Sequence, residues 1–204
     1  MNINIMGIFP TPIGKINIGR ELSSLEKDFI YNQNTKENDV GVVKHSKNAR
    51  LLDDDILYDL KTFIEESSNA FFQEISNPST NVCLKITQSW SNYGNTNQFD
   101  YPHFHLNSII SGAFYVNTNE NSDKIVFNKD TSMIPYHISP KEYNIWNSNN
   151  WEVPAEEGIL LLFPSTLVHK VPHVVGKKQR ISISFNTFFS GEIGSYENLT
   201  QLFI

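Results

Sequence analysis

Apolar residues in the first third of the chain recur every three to four positions, the period of a helix with one buried face. This spacing predicts one helix over residues 21–31 and a second over residues 53–77. Asp53 or Asp54 is the expected N-cap of the second helix, because a short acidic side chain accepts hydrogen bonds from the first free N–H groups. That helix should end before Pro78, since proline forces the preceding residue out of helical geometry.

From residue 81 onward, short segments of alternating apolar and polar residues replace the helical period, which indicates β-strands. Two further strands are predicted within residues 3–18, at a sheet edge because of the prolines there. The strands predicted after residue 80 are 82–94, 109–116, 124–128, 143–146, 151–153, 158–164, 168–175 and 180–189. We therefore expect a mainly β protein in a single domain, with an N-terminal strand and helices over residues 1–80 and a jelly-roll core over residues 81–190.

Composition narrows the class of protein without identifying it. The 204 residues are 39% hydrophobic and 19% charged, as in a globular chain. The net charge of −6 argues against broad binding to nucleic acid or anionic membranes. Cys83 is the single cysteine, so no intramolecular disulfide is expected. The sequence shows neither a signal peptide nor a membrane span, which predicts a cytoplasmic location, and it leaves the oligomeric state open.

Three histidines are candidates for a metal site. His103 and His105 are separated by one residue, and in a strand such positions project from the same face. His169 follows the apolar segment 158–164, at the start of another predicted strand. Three imidazoles from two strands would leave open coordination positions on a transition metal. The alternative is that these are separate structural or solvated histidines.

The predicted strand at 180–189 alternates in polarity. Arg180 and Ser182 belong to its polar face and Ile181 to its apolar face. Such a strand could lie at a wet sheet edge. Alternatively, its polar face lines a pocket, where a buried arginine requires an anionic partner and its planar guanidinium matches a carboxylate.

Residues 90–189 resemble the phage and bacterial branch of the 2-oxoglutarate- and Fe(II)-dependent oxygenases. The resemblance rests on five segments of the sequence in the order of that branch. They are His103-x-His105-x-Asn107-Ser108, Ser111-Gly112-x-x-Tyr115-Val116, Gly158-x-Leu160-Leu161-x-Phe163-Pro164-Ser165, His169-x-Val171 and Arg180-Ile181-Ser182-x-Ser184-Phe185-Asn186.

The resemblance implies a double-stranded β-helix fold and an enzyme that uses Fe(II), 2-oxoglutarate and O₂, with a cytoplasmic location in the host if the chain is phage-encoded. It implies that His103 and His169 ligate iron, and that Arg180 with Ser182 binds the distal carboxylate of 2-oxoglutarate. The wider superfamily has a carboxylate two residues after its first histidine, where this chain has His105. We expect His105 to take that place, and Asp100 is the nearest alternative.

Several other residues are weaker candidates. The cosubstrate could also contact Asn107, Tyr115 and Asn186, all of which could equally be packed strand residues. The residues expected near the prime substrate are Trp90, Asn92 and Tyr93. The remaining histidines are expected at the surface or in solvent, namely His45, His137 and His173.

The leading functional hypothesis is a 2-oxoglutarate-dependent hydroxylase whose prime substrate, a protein side chain, a nucleobase, a lipid or a metabolite, stays open. A three-histidine zinc hydrolase or lyase is a second hypothesis, although it leaves Arg180 and Ser182 without a role. A cupin-like dioxygenase with three-histidine iron is a third, and a metal-free jelly-roll binding module is a fourth.

Overall fold

Two antiparallel β-sheets packed face to face form the core of the computed structural model, which describes residues 3–36, 40–129 and 138–204. The strands are β1 (Gly14–Asn17), β2 (Lys44–His45), β3 (Val82–Gly94), β4 (Asp100–His103), β5 (Ile110–Asn117), β6 (Lys124–Asn128), β7 (Asn150–Pro154), β8 (Ile159–Pro164), β9 (His169–Val171), β10 (Arg180–Ile193) and β11 (Leu202–Phe203). The helices are α1 (Ser24–Tyr31) and α2 (Tyr58–Ser76).

The larger sheet has the strand order β1-β8-β5-β10-β3-β2, and β11 pairs with β10. The smaller sheet has the order β4-β9-β6-β7. Neighbouring strands in both sheets are therefore mostly distant in sequence, as the crossing connections of a jelly roll require. The predicted mainly β jelly-roll core with helices on one face is confirmed.

Side-chain alternation gives the larger sheet two buried faces. On its outer face, Ile181 and Ile183 belong to a core that includes Leu60 and Ile64 of α2. On its inner face, residues of β5 and β8 pack against β6 of the smaller sheet. The polar positions of β10 therefore point into the space between the sheets. The apolar segment 158–164 forms β8, which lies between β1 and β5 and is buried over most of its length.

The helices begin and end for local reasons. At α1, Ser23 and Glu26 form a reciprocal capping box. Two 3-10 turns precede α2, so the helix begins at Tyr58 and not at the predicted residue 53; Asp54 instead accepts a hydrogen bond from the N–H of Ile56 in the second turn. At its C-terminus, Asn77 adopts a left-handed conformation immediately before Pro78, where the end was predicted.

Three predicted strands differ from the structure. Of the two strands predicted within residues 3–18, only β1 forms. Residues 3–13 form no strand, and their prolines lack the N–H that a strand pairing would use. Residues 143–146 form a turn, in which the side chain of Asn144 binds backbone N–H groups. β9 ends at Val171 and not at residue 175. The single-domain assignment stays a prediction, although β1 and β2 join the larger sheet from the N-terminal third.

Candidate active site

The three candidate histidines converge at one end of the smaller sheet. His103 ends β4 and is directly paired with His169, the first residue of β9. His105 lies beyond the end of β4, where its backbone N–H donates to the carbonyl of Ser165 at 2.9 Å. One ligand atom from each imidazole lies within 4.8 Å of the others. The prediction that His103 and His105 lie in one strand is therefore wrong, because β4 ends at His103. The two imidazoles nevertheless lie close together.

Each of these imidazoles uses Nδ1 for a hydrogen bond to an oxygen. The Nδ1 of His103 lies 2.7 Å from the carbonyl of Tyr101, and the Nδ1 of His169 lies 2.9 Å from the carbonyl of Leu167. A carbonyl accepts only, so both Nδ1 atoms donate. The lone pair that remains on each neutral ring is on Nε2, the atom then free to bind a metal.

His105 is held in the same way by a side chain of the opposite sheet. Its Nδ1 lies 2.5 Å from Oδ1 of Asn186 on β10. Ser111 donates to the same Oδ1 at 2.8 Å, and Ser165 lies 2.8 Å from the hydroxyl of Ser111. A buried serine cluster therefore fixes the carboxamide of Asn186, which in turn orients the ring of His105.

Burial keeps the rings of His105 and His169 neutral at ordinary pH. It lowers the pKa of His169 to about 4, an effect that the neighbouring His103 and His105 increase and the hydrogen bond to Leu167 opposes. Burial also lowers the pKa of His105, partly offset by the hydrogen bond to Asn186. Neutral imidazole is the form that coordinates metals, so these two rings are in their binding form near pH 7.

A cavity of about 430 Å³ adjoins the three histidines. Arg180 lines it from β10 and is only 3% exposed. Its guanidinium carbon lies 5.4 Å from the centre of the Tyr115 ring, and its Nε has no hydrogen-bond partner. No carboxylate among the described residues forms an ion pair with it, so a buried positive charge faces the cavity unpaired.

Tyr115 and Ser182 complete the surroundings of Arg180. They lie directly opposite each other on β5 and β10. The hydroxyl of Tyr115 is buried beside the guanidinium of Arg180 and does not line the cavity. Burial raises its pKa, which the charge of Arg180 and a hydrogen bond with it oppose. Ser182 is buried, lines the cavity and accepts a hydrogen bond from the Asn92 carboxamide at 3.3 Å. An unpaired guanidinium beside two hydroxyls has the chemistry to hold a carboxylate.

Residues 88–186 match a family model described as "Putative 2OG-Fe(II) oxygenase". The matched segment, just under half of the chain, is that of the 2-oxoglutarate- and Fe(II)-dependent oxygenases. This oxygenase is therefore an enzyme with Fe(II) and 2-oxoglutarate as its cofactors, as the motifs predicted. A comparison with curated proteins gave no match.

The fold of the oxygenase is also that of solved members of the superfamily. HygX from Streptomyces hygroscopicus, with nickel and 2-oxoglutarate bound, is 9% identical with a TM-score of 0.60, over 87% of this chain and 82% of that one. A prolyl hydroxylase from Trichoplax adhaerens, in complex with a peptide of hypoxia inducible factor, is 14% identical with a TM-score of 0.57, over 86% and 83%. At such identities these similarities concern the fold alone, which is the predicted double-stranded β-helix.

The residues of the oxygenase fit these two cofactors. Three imidazole nitrogens suit a first-row transition ion such as Fe(II) and leave coordination positions open. The buried guanidinium of Arg180, which forms no ion pair with a described residue, suits an anionic cosubstrate. Asp100 lines the same cavity but is not part of the histidine cluster, so the geometry favours His105 as the third donor.

Other predicted residues are placed differently. Asn107 is exposed in a left-handed turn and does not line the cavity. Trp90 and Asn92 line it, and the Trp90 indole stacks on His105 with ring centres 5.8 Å apart. The neighbouring Tyr93 points to the helical side, where its hydroxyl bonds to the carbonyl of Ile30. Strand alternation explains the separation, because Tyr93 occupies the opposite face of β3.

The histidines outside the motif also differ in their positions, since His45 lines the cavity and His173 is exposed. His45, predicted to be solvated, instead lines the cavity and is half-buried, because β2 pairs with β3 and places it opposite Asn92. His173 is exposed, as predicted, and its ring packs on Phe99 with centres 4.7 Å apart. His137 lies outside the described residues. His45 belongs to no recognisable motif, so only the pairing of distant strands reveals it.

Within the described residues, no helix has the length and apolarity needed to span a membrane.

Proposed function

We propose that this oxygenase hydroxylates a C–H group of its prime substrate in the 430 Å³ cavity. His103, His105 and His169 hold Fe(II) through Nε2, and Arg180 binds the distal carboxylate of 2-oxoglutarate. The observation that carries the proposal is the unpaired, buried guanidinium of Arg180 in the same cavity as the three-histidine cluster. A structural arginine this deeply buried would need a carboxylate of its own chain, and none pairs with it among the described residues.

The residues around Arg180 have distinct tasks in this proposal. The hydroxyl of Ser182 donates a hydrogen bond to the cosubstrate, which fixes its carboxylate beside the guanidinium, and Tyr115 positions that guanidinium from outside the cavity lining. Asn186 is not assigned to the cosubstrate, because it does not line the cavity and its carboxamide oxygen accepts from His105 and Ser111. Its task is to hold His105 in the tautomer that coordinates the metal. Asn107 has no task, since it lies outside the cavity.

The chemistry that Fe(II) and 2-oxoglutarate supply when bound is activation of O₂, with release of succinate and CO₂ and oxidation of the substrate. The chain contributes orientation and exclusion of water. Phe163 and Ile125 are buried and give the cavity an apolar wall. Trp90 covers His105, which limits access of solvent to that ring. Held in a dry cavity, the reacting groups meet in a fixed geometry.

Succinate formation without any prime substrate tests this function. Given Fe(II), O₂ and ascorbate, the protein should convert 2-oxoglutarate slowly to succinate and CO₂, since this uncoupled reaction requires only the correctly held cosubstrate. Arg180→Ala should weaken 2-oxoglutarate binding by about 2–5 kcal/mol, as expected on removal of one partner of a buried charge pair. Arg180→Lys should recover part of this, because an ammonium cannot form the planar fork.

Arg50→Ala is the matched control, because the Arg50 side chain is exposed and Arg50 does not line the cavity. It should leave succinate formation unchanged. Metal content should be the same in all three variants, since no arginine is a proposed ligand. A protein that binds iron but neither binds 2-oxoglutarate nor forms succinate would contradict the proposal in favour of a cupin-like or zinc enzyme. Loss of metal from Arg180→Ala would instead indicate a structural arginine.

A further inference from the structure

Lys36 and His45 form a second polar group in the wall of the cavity. The backbone N–H of Lys36 donates to the carbonyl of His45 at 2.8 Å, and Thr35 and Ser46 form an antiparallel bridge next to this pair. Lys36 and His45 are therefore directly opposite each other. Such side chains project from the same face, with their Cβ atoms about 4.5–5.5 Å apart. Lys36 is exposed and His45 is half-buried, and both residues line the cavity that contains the three histidines.

A hydrogen-bond chain fixes the ring of His45. Its Nδ1 lies 2.7 Å from Oδ1 of Asn92, and the Nδ2 of Asn92 donates to Oγ of Ser184 at 2.8 Å. The amide nitrogen is thus turned toward β10 and the amide oxygen toward His45. Because that oxygen only accepts, the Nδ1 of His45 donates to it. Nε2 is then the ring nitrogen left for a ligand in the cavity.

The charges in the cavity wall are mostly positive. Lys36 forms no ion pair with any described residue, and Arg180 is also unpaired. Asp100 is the one carboxylate among the described lining residues. In a chain with a net charge of −6, this local excess of positive charge favours an anionic ligand. The proposed function assigns Arg180 to 2-oxoglutarate, which leaves Lys36 and His45 without an anion.

The position of Trp90 relates this pair to the reacting centre. Trp90 and Asn92 are two residues apart on β3 and therefore share its inner face. His45 is paired with Asn92, and Trp90 stacks on His105. The indole therefore stacks on one of the proposed metal ligands and lies two residues along β3 from the asparagine that binds His45. A molecule that contacts both the Lys36–His45 pair and the three histidines would extend along the face or edge of this indole.

We propose that Lys36 and His45 bind an anionic group, a carboxylate or a phosphate, of the prime substrate. This inference rests on the proposed function and specifies its substrate class: a small molecule whose oxidised carbon lies near the three histidines and whose anionic group lies beyond Trp90. The binding pair comes from residues 36–45, outside the segment that matches the family model. Substrate selection is thus separated in sequence from the residues proposed for metal and cosubstrate.

Binding of small probe anions tests the pair directly. The protein is loaded without oxygen with Mn(II) and saturating 2-oxoglutarate, and phenylacetate, phenyl phosphate and neutral phenylacetamide are titrated by calorimetry and saturation-transfer NMR. We expect one or both anions to bind and the amide to bind much more weakly. Lys36→Met and His45→Gln should each weaken anion binding about tenfold or more, because each removes a hydrogen bond to a charged group. The difference between the two anions distinguishes a carboxylate from a phosphate substrate.

Lys44→Met is the matched control, since Lys44 is exposed, adjacent to His45 in sequence and absent from the cavity lining. It removes the same charge and should leave anion binding unchanged. Equal anion binding by the parent, Lys36→Met and His45→Gln would overturn the proposal, as would anions that displace 2-oxoglutarate and depend on Arg180 alone. Failure to load 2-oxoglutarate would contradict the proposed function instead. The anion titration is then repeated on the metal-free protein, where dependence on Lys36 and His45 still decides the subsite.

Discussion

Asn186 and His105 join the two sheets through a single hydrogen bond of 2.5 Å between Oδ1 and Nδ1. Asn186 belongs to the larger sheet, whereas His105 follows the edge strand of the smaller one. The bond places an acceptor against Nδ1, so the ring presents Nε2 to the cavity. Orientation of His105 therefore depends on a residue that does not itself line the cavity.

Asn186→Ala is expected to lower metal affinity about 10–100-fold, the usual effect of removing a hydrogen-bond partner of a metal-binding histidine. Asn186→Asp should retain most of the affinity, because a carboxylate also accepts from Nδ1. Titration with Fe(II) or Mn(II) without oxygen measures both variants. Equal loss in the two variants would show that Asn186 acts through packing and not through the hydrogen bond.

His103→Ala and His169→Ala should each abolish tight metal binding, because each removes one of three donors within 4.8 Å of one another. His105→Ala should do the same, whereas Asp100→Ala should bind metal like the parent protein. Metal content after dialysis, together with anaerobic calorimetry, measures these affinities. If Asp100→Ala lost the metal and His105→Ala kept it, the carboxylate and not His105 would be the third ligand.

Tyr115→Phe separates cosubstrate binding from stability. The Tyr115 hydroxyl is buried and its polar neighbour is the guanidinium of Arg180, so its removal should change the free energy of unfolding of the ligand-free protein by about 1 kcal/mol or less. The same change should weaken 2-oxoglutarate binding, since the hydroxyl is proposed to position the guanidinium that binds the cosubstrate. Urea unfolding and calorimetry provide the two measurements. A destabilised variant with normal 2-oxoglutarate affinity would refute this role of the hydroxyl.

The metal-free protein should lose stability in mild acid. The pKa of His169 is about 4 in the folded protein and 6.5 in its ordinary state, so the unfolded chain takes up a proton first as the pH falls. The contribution of the neutral His169 ring to the free energy of unfolding is fully present above about pH 6.5 and is lost as the pH falls toward 4. At about 1.4 kcal/mol per pKa unit, the loss is on the order of 3 kcal/mol.

Urea unfolding between pH 4 and 8 measures this dependence, and His169→Gln is the comparison because its side chain does not titrate. The variant should show a shallower decrease in stability below pH 6.5. Added Mn(II) should raise stability at neutral pH by about 2.7 kcal/mol at a concentration 100 times its Kd, and much less near pH 4, where protons compete for the same nitrogens. An identical pH dependence in parent and variant would contradict burial as the cause.

Much of the proposed site could be predicted because its chemistry is concentrated in short motifs. His103, His105 and His169 were predicted together, and the alternation of β10 separated Arg180 from Ile181. Alternation alone does not reveal which face of a strand meets water. That choice depends on the two helices, which cover the apolar side and leave the polar side between the sheets. The inward orientation of Arg180 is thus a consequence of tertiary packing.

The residues that sequence reasoning misplaced depend on contacts between distant segments. His45 enters the cavity because β2 pairs with β3, which places it beside Asn92, 47 residues away in sequence. The carboxamide oxygen of Asn186 accepts from His105 and Ser111, and no local pattern reveals these partners. Asn107 does not line the cavity, because the chain turns after His105 and the backbone at Asn107 is left-handed.

The three candidate histidines and Arg180 belong to opposite sheets, and apolar side chains set the distance between those sheets. Phe163 of the larger sheet contacts His169 of the smaller one, with ring centres 4.7 Å apart. Under the proposed function, the spacing of the sheets selects the length of the keto acid. We expect a keto acid one carbon shorter than 2-oxoglutarate to bind more weakly, because it could not contact both the metal and Arg180. A smaller residue at position 163 should then change this length preference without changing any group proposed to contact the cosubstrate's carboxylates.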